Sequence, residues 1–325
     1  MTERAIIDTD PGVDDALALI LALRSQELLV EAVVTVGGNV PLEQTTKNAL
    51  RIIQMVKPEK VPVLAKGRDP CEKKGPIRAE SVHGKDGLGD LQRFLSDDGV
   101  PLYPDIQIPH DLPSAEDVYL ELLGKYPQEL TIITLGPLTN LARILEIAPH
   151  SLRPKKLIIM GGAIAVPGNV TPVAEFNIYA DPEAAKRVLT SGLNPILVSL
   201  DVTRKVRLSR EQVSRSGEHP DPLCRFLSHA TQRALDFTWE REGIASIPLH
   251  DPLAVAVAIE PDLVELVPLH VDVETKGEIT CGMTVGDRRP IDPRFKAREN
   301  VLVAMEVDAS RALKLIGDRI CPGLW

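Results

Sequence analysis

Four aspartates near the start of the chain form its strongest chemical signal, and they lie in the segment DTDPGVDDA at positions 8–16. Carboxylates this close together repel one another and raise one another's pKa unless a cation neutralises them. Oxygen ligands of this kind suit a hard ion such as Ca²⁺ or Mg²⁺. Pro11 and Gly12 favour a turn that lets Asp10 and Asp15 face one point. The cluster therefore predicts a metal site, although a single aspartate such as Asp14 could instead cap the next helix.

Further polar or glycine-rich segments follow other apolar stretches, and taken singly each is typical of a loop. They are Gly37-Gly38-Asn39, LGPLTN at 135–140 and MGG at 160–162. The segment GNVTPVAEFN at 168–177 supplies two amides and a carboxylate, a set suited to hydrogen bonding sugar hydroxyls. His250-Asp251-Pro252 directly precedes an apolar stretch. Asp251 is there either a metal ligand or a helix N-cap.

Apolar stretches rich in β-branched residues alternate with amphipathic ones, which indicates a mostly parallel sheet covered by helices. The predicted strands are Ala5–Asp8, Val30–Val36, Val61–Ala65, Leu130–Leu135, Lys156–Met160 and Pro195–Leu200. The predicted helices are Asp14–Arg24, Leu42–Met55, Ser114–Tyr126, Pro137–Glu146, Pro182–Ser191, Leu253–Ile259 and one whose apolar face runs from Leu223 to Phe237. The expected fold class is α/β, an open Rossmann-like sheet with helices on both faces, formed as a single domain over 1–325. Ligands bind such sheets at the carboxyl ends of the strands, where the polar segments fall.

Composition excludes several functions. The chain has 325 residues, a net charge of −9 and a pI near 5.4, which argues against a nucleic acid partner. No apolar run approaches the roughly 18 residues of a membrane span, and no export segment is evident, so we expect a cytoplasmic protein. The four cysteines show no metal spacing, and we interpret them as reduced thiols. The stretch Lys66–His110 has no clear period except near Leu91–Leu95, which predicts a mobile loop or lid.

In these motifs the sequence resembles the inosine-uridine nucleoside hydrolases along nearly its whole length. The matching segments, in the family's order, are DTDPGVDDA, GGN at 37–39, GPLTN at 136–140, MGG, GNVTPVAEFNIYADPEAA at 168–185 and HDPLA at 250–254. The resemblance implies a Ca²⁺ site formed by Asp10, Asp15, Asp251 and the backbone carbonyl of Leu135. Several family members have threonine or valine in place of Leu135, a change that a main-chain ligand tolerates.

The same resemblance implies the substrate, a ribonucleoside, and the residues that hold it. Ribose would be held by Asp14, Asn39, Asn169, Glu175 and Asn177, with Met160 lining its underside. His83 falls in a loop that closes over the base in the family, and Asp8 would support the site. A homodimer or homotetramer is also implied.

The implied reaction is hydrolysis of the bond between base and ribose. Asp10 would accept a proton from the attacking water as general base, and the metal would orient that water and lower its pKa. His250 would protonate the departing base, since its ordinary pKa lies near 6.5. The alternative is a neutral His250 that orients Asp251.

Base specificity is the least determined property. Phe237 continues the apolar face of its helix, so we assign it to the core, whereas Trp239 lies off that face and is the better candidate for stacking on a base. Only 3% of the residues are aromatic, which argues against a two-sided stacking clamp. This favours pyrimidine or mixed specificity.

Three other functions stay open at this point. A phosphatase of the haloacid dehalogenase type would use Asp8 and Asp10 with Mg²⁺, but Pro11-Gly12 replaces the expected hydroxyl residue. A nucleoside sensor that has lost catalysis would not need Asp10 and His250. A phosphorylase would need a basic phosphate-binding loop, which we do not find in the sequence.

Overall fold

A mostly parallel sheet organises the fold and carries the acidic turn at its centre. The computed structural model describes residues 2–70, 77–295, 297–323 and 325. The strands in this part of the chain are β1 Glu3–Thr9, β2 Leu28–Thr35, β3 Val63–Lys66, β4 Leu130–Thr134, β5 Lys156–Met160, β6 Ile196–Val198, β7 Arg207–Ser209, β8 Ser246–Pro248, β9 Val264–Leu269, β10 Val271–Val273, β11 Thr284–Gly286 and β12 Val301–Val307.

Helices connect most of these strands. They are α1 Val13–Arg24, α2 Leu42–Val56, α3 Glu80–His83, α4 Ala115–Lys125, α5 Thr139–Ile147, α6 Phe176–Ala180, α7 Pro182–Leu189, α8 Leu200–Thr203, α9 Arg210–Gly217, α10 Pro222–Glu242, α11 His250–Ile259 and α12 Ala309–Ile320. Short 3₁₀ turns occur at Leu91–Arg93, Pro261–Leu263 and Pro293–Phe295.

The candidate site lies at the carboxyl end of β1. The strands β2 and β3 are added on one side of β1, and β4, β5 and β6 on the other. Among the described residues the main sheet has eight strands in the order β3-β2-β1-β4-β5-β6-β12-β9. All neighbouring pairs are parallel except β12 with β9, which is antiparallel. Because β2 and β4 lie on opposite sides of β1, a crevice opens at the carboxyl end of β1, as expected at a topological switch point. The predicted α/β fold class is confirmed.

Two hydrophobic cores cover the two faces of the sheet. Along β1 the side chains alternate, so that Ile7 packs into one core and Ile6 into the other. The first core contains α1, whose Leu17, Leu19 and Ile20 are all fully buried. After its first turn, which carries Asp14 and Asp15, α1 is apolar on all sides and packs against α11 and α2. The acidic turn is therefore anchored on a fixed element.

Most predicted elements are confirmed within a few residues of their predicted ends. The antiparallel strand β9, the terminal pair β12 and α12, and the small pairs β7–β8 and β10–β11 were not predicted. The prediction of a single domain over 1–325 stays a prediction. In the described part of the chain, no helix combines the length and the apolar character that crossing a membrane requires.

The prediction of reduced cysteines is wrong for two of the four. Cys224 on α10 and Cys321 after α12 form a disulfide, with their Cα atoms 5.7 Å apart. Cys281 is a buried free thiol. The pair is separated by 97 residues, so only the tertiary fold, in which α1 contacts both α10 and α12, brings the two sulfurs together. Cys71 lies outside the described residues.

The stretch predicted as a loop or lid is partly ordered against α10. The carboxylate of Asp86 accepts hydrogen bonds from the backbone N–H groups of Leu88, Asp90 and Leu91, at 2.9, 2.8 and 2.6 Å. Leu88 and Leu91 are buried, and Asp90 forms an ion pair with Arg233 of α10 at 2.7 Å. These contacts fix the segment that carries His83.

Two glycines of this stretch allow a matched test of that packing. Gly89 and Gly99 both have left-handed φ values, +80° and +75°, so alanine at either costs about 1–2 kcal/mol of backbone strain. At Gly89 a Cβ would also clash with the carbonyl oxygen of Ala230, whereas at Gly99 nothing lies within 4 Å. We expect Gly89→Ala to lower the free energy of unfolding clearly more than Gly99→Ala in urea titrations. Equal losses would contradict the docking of this segment on α10.

Candidate active site

The carboxyl ends of β1, β2, β4 and β5 converge on a cavity of about 370 Å³. Segments that follow these strands contribute most of the predicted polar residues, while α3, α10, β8 and the start of α11 supply the rest of the lining. The lining includes the following predicted site residues: Asp14, Asn39, His83, Leu135, Met160, Asn169, Glu175, Asn177, His250 and Asp251. The structure therefore brings together residues that are up to 237 positions apart, Asp14 and Asp251.

Three aspartates converge closely enough to share one cation. The oxygens of Asp14, Asp15 and Asp251 lie within 4.8 Å of one another; Asp15 and Asp251 are buried and Asp14 is partly exposed to the cavity. At this distance two unit charges repel by about 3.5 kcal/mol in a medium of effective dielectric constant about 20. Burial and this repulsion raise the pKa of Asp14 to about 7 and that of Asp251 well above its ordinary range. A bound cation would offset both the cost of burying these charges and the repulsion between them.

Asp10 lies next to these three carboxylates but outside the cavity wall. It is fully buried, and its Oδ2 accepts a hydrogen bond from the backbone N–H of Asn39 at 2.7 Å. Its Oδ1 is buried without a hydrogen-bond partner in the described residues. Burial and the charges of Asp15 and Asp14 raise the pKa of Asp10. An orphaned carboxylate oxygen beside three crowded carboxylates fits a hard cation, so these residues fit the predicted metal.

Local backbone groups hold the acidic turn in place. The N–H of Gly12 donates to Oδ2 of Asp15 at 2.9 Å, and the hydroxyl of Thr9 donates to its Oδ1. Nδ2 of Asn39 donates to Oδ2 of Asp15 at 3.1 Å. Beside Asp10 the chain passes so closely that a Cβ on Gly136 would stand 2.5 Å from Oδ1. The carboxylates are therefore fixed by donors that face inward from two strand ends.

Asp8, for which a supporting role is expected, is buried near the end of β1. Its carboxylate accepts hydrogen bonds from the hydroxyl of Tyr119 at 2.8 Å and from Nδ2 of Asn140 at 3.1 Å. Burial raises the pKa of Asp8 to about 7. Its backbone carbonyl accepts the N–H of Leu135 at 2.7 Å, which joins the ends of β1 and β4.

The segment after β5 places the predicted sugar-binding residues at the cavity. Glu175 is buried and caps α6, since its carboxylate accepts the N–H groups of Gly162, Asn177 and Ile178 at 2.9, 2.9 and 3.2 Å. Burial raises its pKa. Nδ2 of Asn177 donates to the carbonyl of Leu135 at 2.6 Å, and that oxygen keeps a second lone pair for a further partner.

Two members of the predicted sugar set meet the cavity differently. Asn169 is exposed at the rim and accepts the N–H of Phe176 at 3.0 Å. Met160 is buried at the end of β5, where its thioether sulfur lies 3.4 Å from Nδ2 of Asn177.

The two predicted histidines both line the cavity in the neutral form. Nδ1 of His83 accepts the N–H of Val13 at 3.0 Å, and burial lowers its pKa to about 4. His250 pairs through Nδ1 with the hydroxyl of Thr203 at 2.7 Å. Burial, with the nearby Arg204 and Arg207, lowers the pKa of His250 to about 3. At neutral pH His250 therefore has no imidazolium proton to give before substrate binds.

Trp239 is not a pocket residue in the described structure, contrary to the prediction. It is 55% exposed and does not line the cavity, whereas Phe237, assigned to the core, does. Two positions along a helix rotate the side chain by about 200°, so Phe237 and Trp239 face opposite directions. Helical period alone cannot distinguish a core face from a cavity wall.

Other lining residues were not predicted. Ala234, Phe237, Thr238 and Arg241 recur on one face of α10 at spacings of three and four residues. This helical spacing is the one feature of the sequence that could have indicated that these four residues share a face.

The comparisons with known proteins agree with this geometry. A sequence model of the family described as "Inosine-uridine preferring nucleoside hydrolase" matches residues 5–314. The pyrimidine-specific ribonucleoside hydrolase RihA of Salmonella paratyphi B is 36% identical over 321 residues, which cover 97% of this chain and 97% of that protein.

Two solved structures share the fold over nearly their full length. The plant nucleoside hydrolase PpNRh1 superposes with a TM-score of 0.87 and 34% identity, covering 98% of this chain and 99% of that one. The purine-preferring ribonucleoside hydrolase from Gardnerella vaginalis has a TM-score of 0.87 and 32% identity, covering 99% of both chains. The chain is thus a ribonucleoside hydrolase and belongs to the inosine-uridine preferring nucleoside hydrolase family.

Proposed function

We propose that this enzyme uses Ca²⁺ to hydrolyse the N-glycosidic bond of ribonucleosides, releasing free base and ribose, with a pyrimidine or mixed base preference. The observation that carries the proposal is the convergence of Asp10, Asp14, Asp15 and Asp251 beside one cavity, whose wall includes Asp14, Asp251, Glu175 and neighbouring amides. Such a donor set suits a hard cation and a sugar with adjacent hydroxyls.

Asp10, Asp15, Asp251 and the carbonyl of Leu135 are the proposed Ca²⁺ ligands. When bound, the ion would orient a water molecule and lower its pKa. Asp14 lines the cavity and is only partly buried, whereas Asp15 and Asp251 are buried, which suits Asp14 to the 2′- and 3′-hydroxyls of ribose.

The protein's own groups would carry the remaining steps. Asp10 accepts the proton that the water loses as its oxygen attacks C1′, a role for which a raised pKa is favourable. The surrounding carboxylates stabilise the positive charge that develops on the sugar. Hydrogen bonds between the sugar hydroxyls and the side chains of Asn39, Asn169, Glu175 and Asn177, with Met160 under the ring, hold C1′ near the water.

His83 and His250 would act at the base. The Thr203 contact occupies Nδ1 of His250, so Nε2 is left for the substrate. As the leaving-group acid, His250 has to take up a second proton when substrate binds; its alternative role is to orient Asp251.

The base preference rests on partial support from relatives. RihA is named pyrimidine-specific, whereas the Gardnerella vaginalis structure is named purine-preferring, and both are similar to this chain. Two half-buried rings, Phe176 and Phe237, line the cavity, and the ring of Phe237 on the α10 wall can stack on a pyrimidine or a purine, which suits a mixed preference. A homodimer or homotetramer is proposed from the family resemblance, and the cytoplasmic location expected from the sequence stays a proposal.

The proposal is tested by measuring free reducing ribose from uridine, cytidine, inosine, adenosine and 2′-deoxyuridine, with Ca²⁺ and with a chelator. We expect ribose release from ribonucleosides that needs Ca²⁺, is weak with the deoxy compound, and falls roughly 10²- to 10⁴-fold in Asp10→Asn. The exposed Asp98→Asn variant is the matched control. Metal-bound protein that releases no ribose would favour the sensor, and phosphate release from nucleotides would favour the phosphatase.

Replacing one carboxylate should change stability in opposite directions with and without metal. In chelator, Asp251→Asn removes a repelled buried charge and should stabilise the protein by on the order of 1 kcal/mol. Ca²⁺ at about 100 times its Kd should stabilise the wild type by about 2.7 kcal/mol and the variant much less. Calorimetric melting checks both effects.

The control for that experiment is Asp117→Asn. Asp117 is likewise an acidic residue in the first turn of a helix, but it is exposed and far from the cluster in sequence. A wild type whose melting temperature does not respond to Ca²⁺ would refute the metal site.

The role of His250 is tested by substitution. His250→Ala should lower turnover of uridine and inosine while leaving stabilisation by Ca²⁺ unchanged, because the side chain acts at the base. Loss of the Ca²⁺ response would assign His250 to orienting Asp251, and unchanged turnover on every ribonucleoside would exclude the acid role.

A further inference from the structure

Arg241 is a positively charged side chain on the wall of a cavity that is otherwise rich in carboxylates. It lies in the last turn of α10, one helical turn beyond Phe237, and both residues line the cavity. Its guanidinium carbon lies 5.2 Å from the centre of the Phe237 ring. The two side chains therefore form one surface, with an aromatic face and a cationic edge.

This guanidinium has no hydrogen-bond or ion-pair partner in the part of the chain that the structure describes. Its neighbour in sequence, Glu242, instead pairs with Arg207, whose Nη2 lies 3.7 Å from Oε2 of Glu242. Arg78, the other arginine on the wall, donates to the carbonyl of Gly38 and to Asp69. Arg241 thus keeps its five N–H donors for a ligand.

The wall that holds Arg241 is the side suited to a base. It is formed by α10 packed against α3 and β8, and Val82, Phe237 and Ile247 give it an apolar surface. Asp14 and Glu175, which are suited to ribose, line the same cavity as Phe237 and Arg241. A nucleoside that fills this cavity with its ribose against Asp14 and Glu175 has the α10 wall, with Arg241, available for its base.

We propose that Arg241 binds the carbonyl oxygens of the base and stabilises the negative charge that develops there as the base leaves, an inference that rests on the proposed hydrolase function. In the reaction the water oxygen bonds to C1′ while the N-glycosidic bond breaks. The bonding electron pair passes to the ring nitrogen of the base and spreads to its carbonyl oxygens. Arg241 keeps its own protons and donates hydrogen bonds only; the departed base then takes a proton from His250 or solvent.

A donor-only side chain also discriminates among bases. Uracil and hypoxanthine present carbonyl oxygens that accept from arginine, whereas cytosine and adenine present an amino group at the corresponding position, which repels an N–H donor. We therefore expect Arg241 to favour oxo bases over amino bases in both the pyrimidine and the purine series.

The experiment compares leaving groups in Arg241→Met, Arg241→Lys and the control Arg153→Met, an exposed arginine outside the cavity. Substrates are uridine and p-nitrophenyl β-D-ribofuranoside, whose nitrophenolate is already a stable anion and needs little assistance. For Arg241→Met we expect kcat on uridine to fall roughly 10²- to 10³-fold, and kcat on the nitrophenyl riboside to fall less than about fivefold. Arg241→Lys, which keeps the charge, should lie between wild type and Arg241→Met on uridine, and Arg153→Met should match wild type.

The outcomes separate this inference from the proposed function. Equal losses on the two substrates, or no loss on uridine, overturn the role of Arg241 while the hydrolase function stands. A uridine to cytidine ratio of kcat/KM that is unchanged in Arg241→Met overturns the discrimination among bases. A wild type that cleaves neither substrate overturns the proposed function itself.

Discussion

Repulsion among buried carboxylates is the constraint around which this structure is built. Asp10, Asp14, Asp15 and Asp251 are held at one point, where burial raises the pKa of each and repulsion by neighbouring carboxylates raises those of Asp10, Asp14 and Asp251 further. Such an arrangement persists only if the surrounding fold is rigid, because each of these charges would be more stable in water. The fold supplies that rigidity through α1, whose residues 16–22 are all apolar and buried, and through strand ends joined by backbone hydrogen bonds.

Two kinds of element form the cavity: strand ends, which carry polar groups, and helices, which form much of the remaining wall. Strand ends hold the groups that need fixed positions, such as Asp10 beside Asn39 and the carbonyl of Leu135 beside Asn177. The rest of the wall comes largely from α3, α10 and β8, where α10 packs against both α3 and β8. This division explains how relatives with the same fold bear names that specify different bases, since the wall can vary without disturbing the carboxylates.

The sequence alone predicts those parts of the site in which the functional residues lie within a few positions of one another. Short sequence patterns identify the acidic turn, the Gly37-Gly38-Asn39 loop and the HDP segment. The fold then brings these segments to one cavity at an edge of the parallel sheet. The part of the cavity wall formed by α10 could not be predicted in this way, because Phe237 falls on the same helical spacing as the core residues of that helix. Pairing of Cys224 with Cys321 depends on packing across 97 residues, which no local pattern reports.

The most direct test of the account is a crystal structure of the Ca²⁺-loaded enzyme with a non-hydrolysable ribose analogue, with anomalous scattering used to locate the ion. The account predicts one strong peak in contact with Asp10, Asp15, Asp251 and the carbonyl of Leu135, and the analogue's 2′- and 3′-hydroxyls against Asp14. An ion bound elsewhere, or no ion at the carboxylates under conditions in which the enzyme is active, would contradict it.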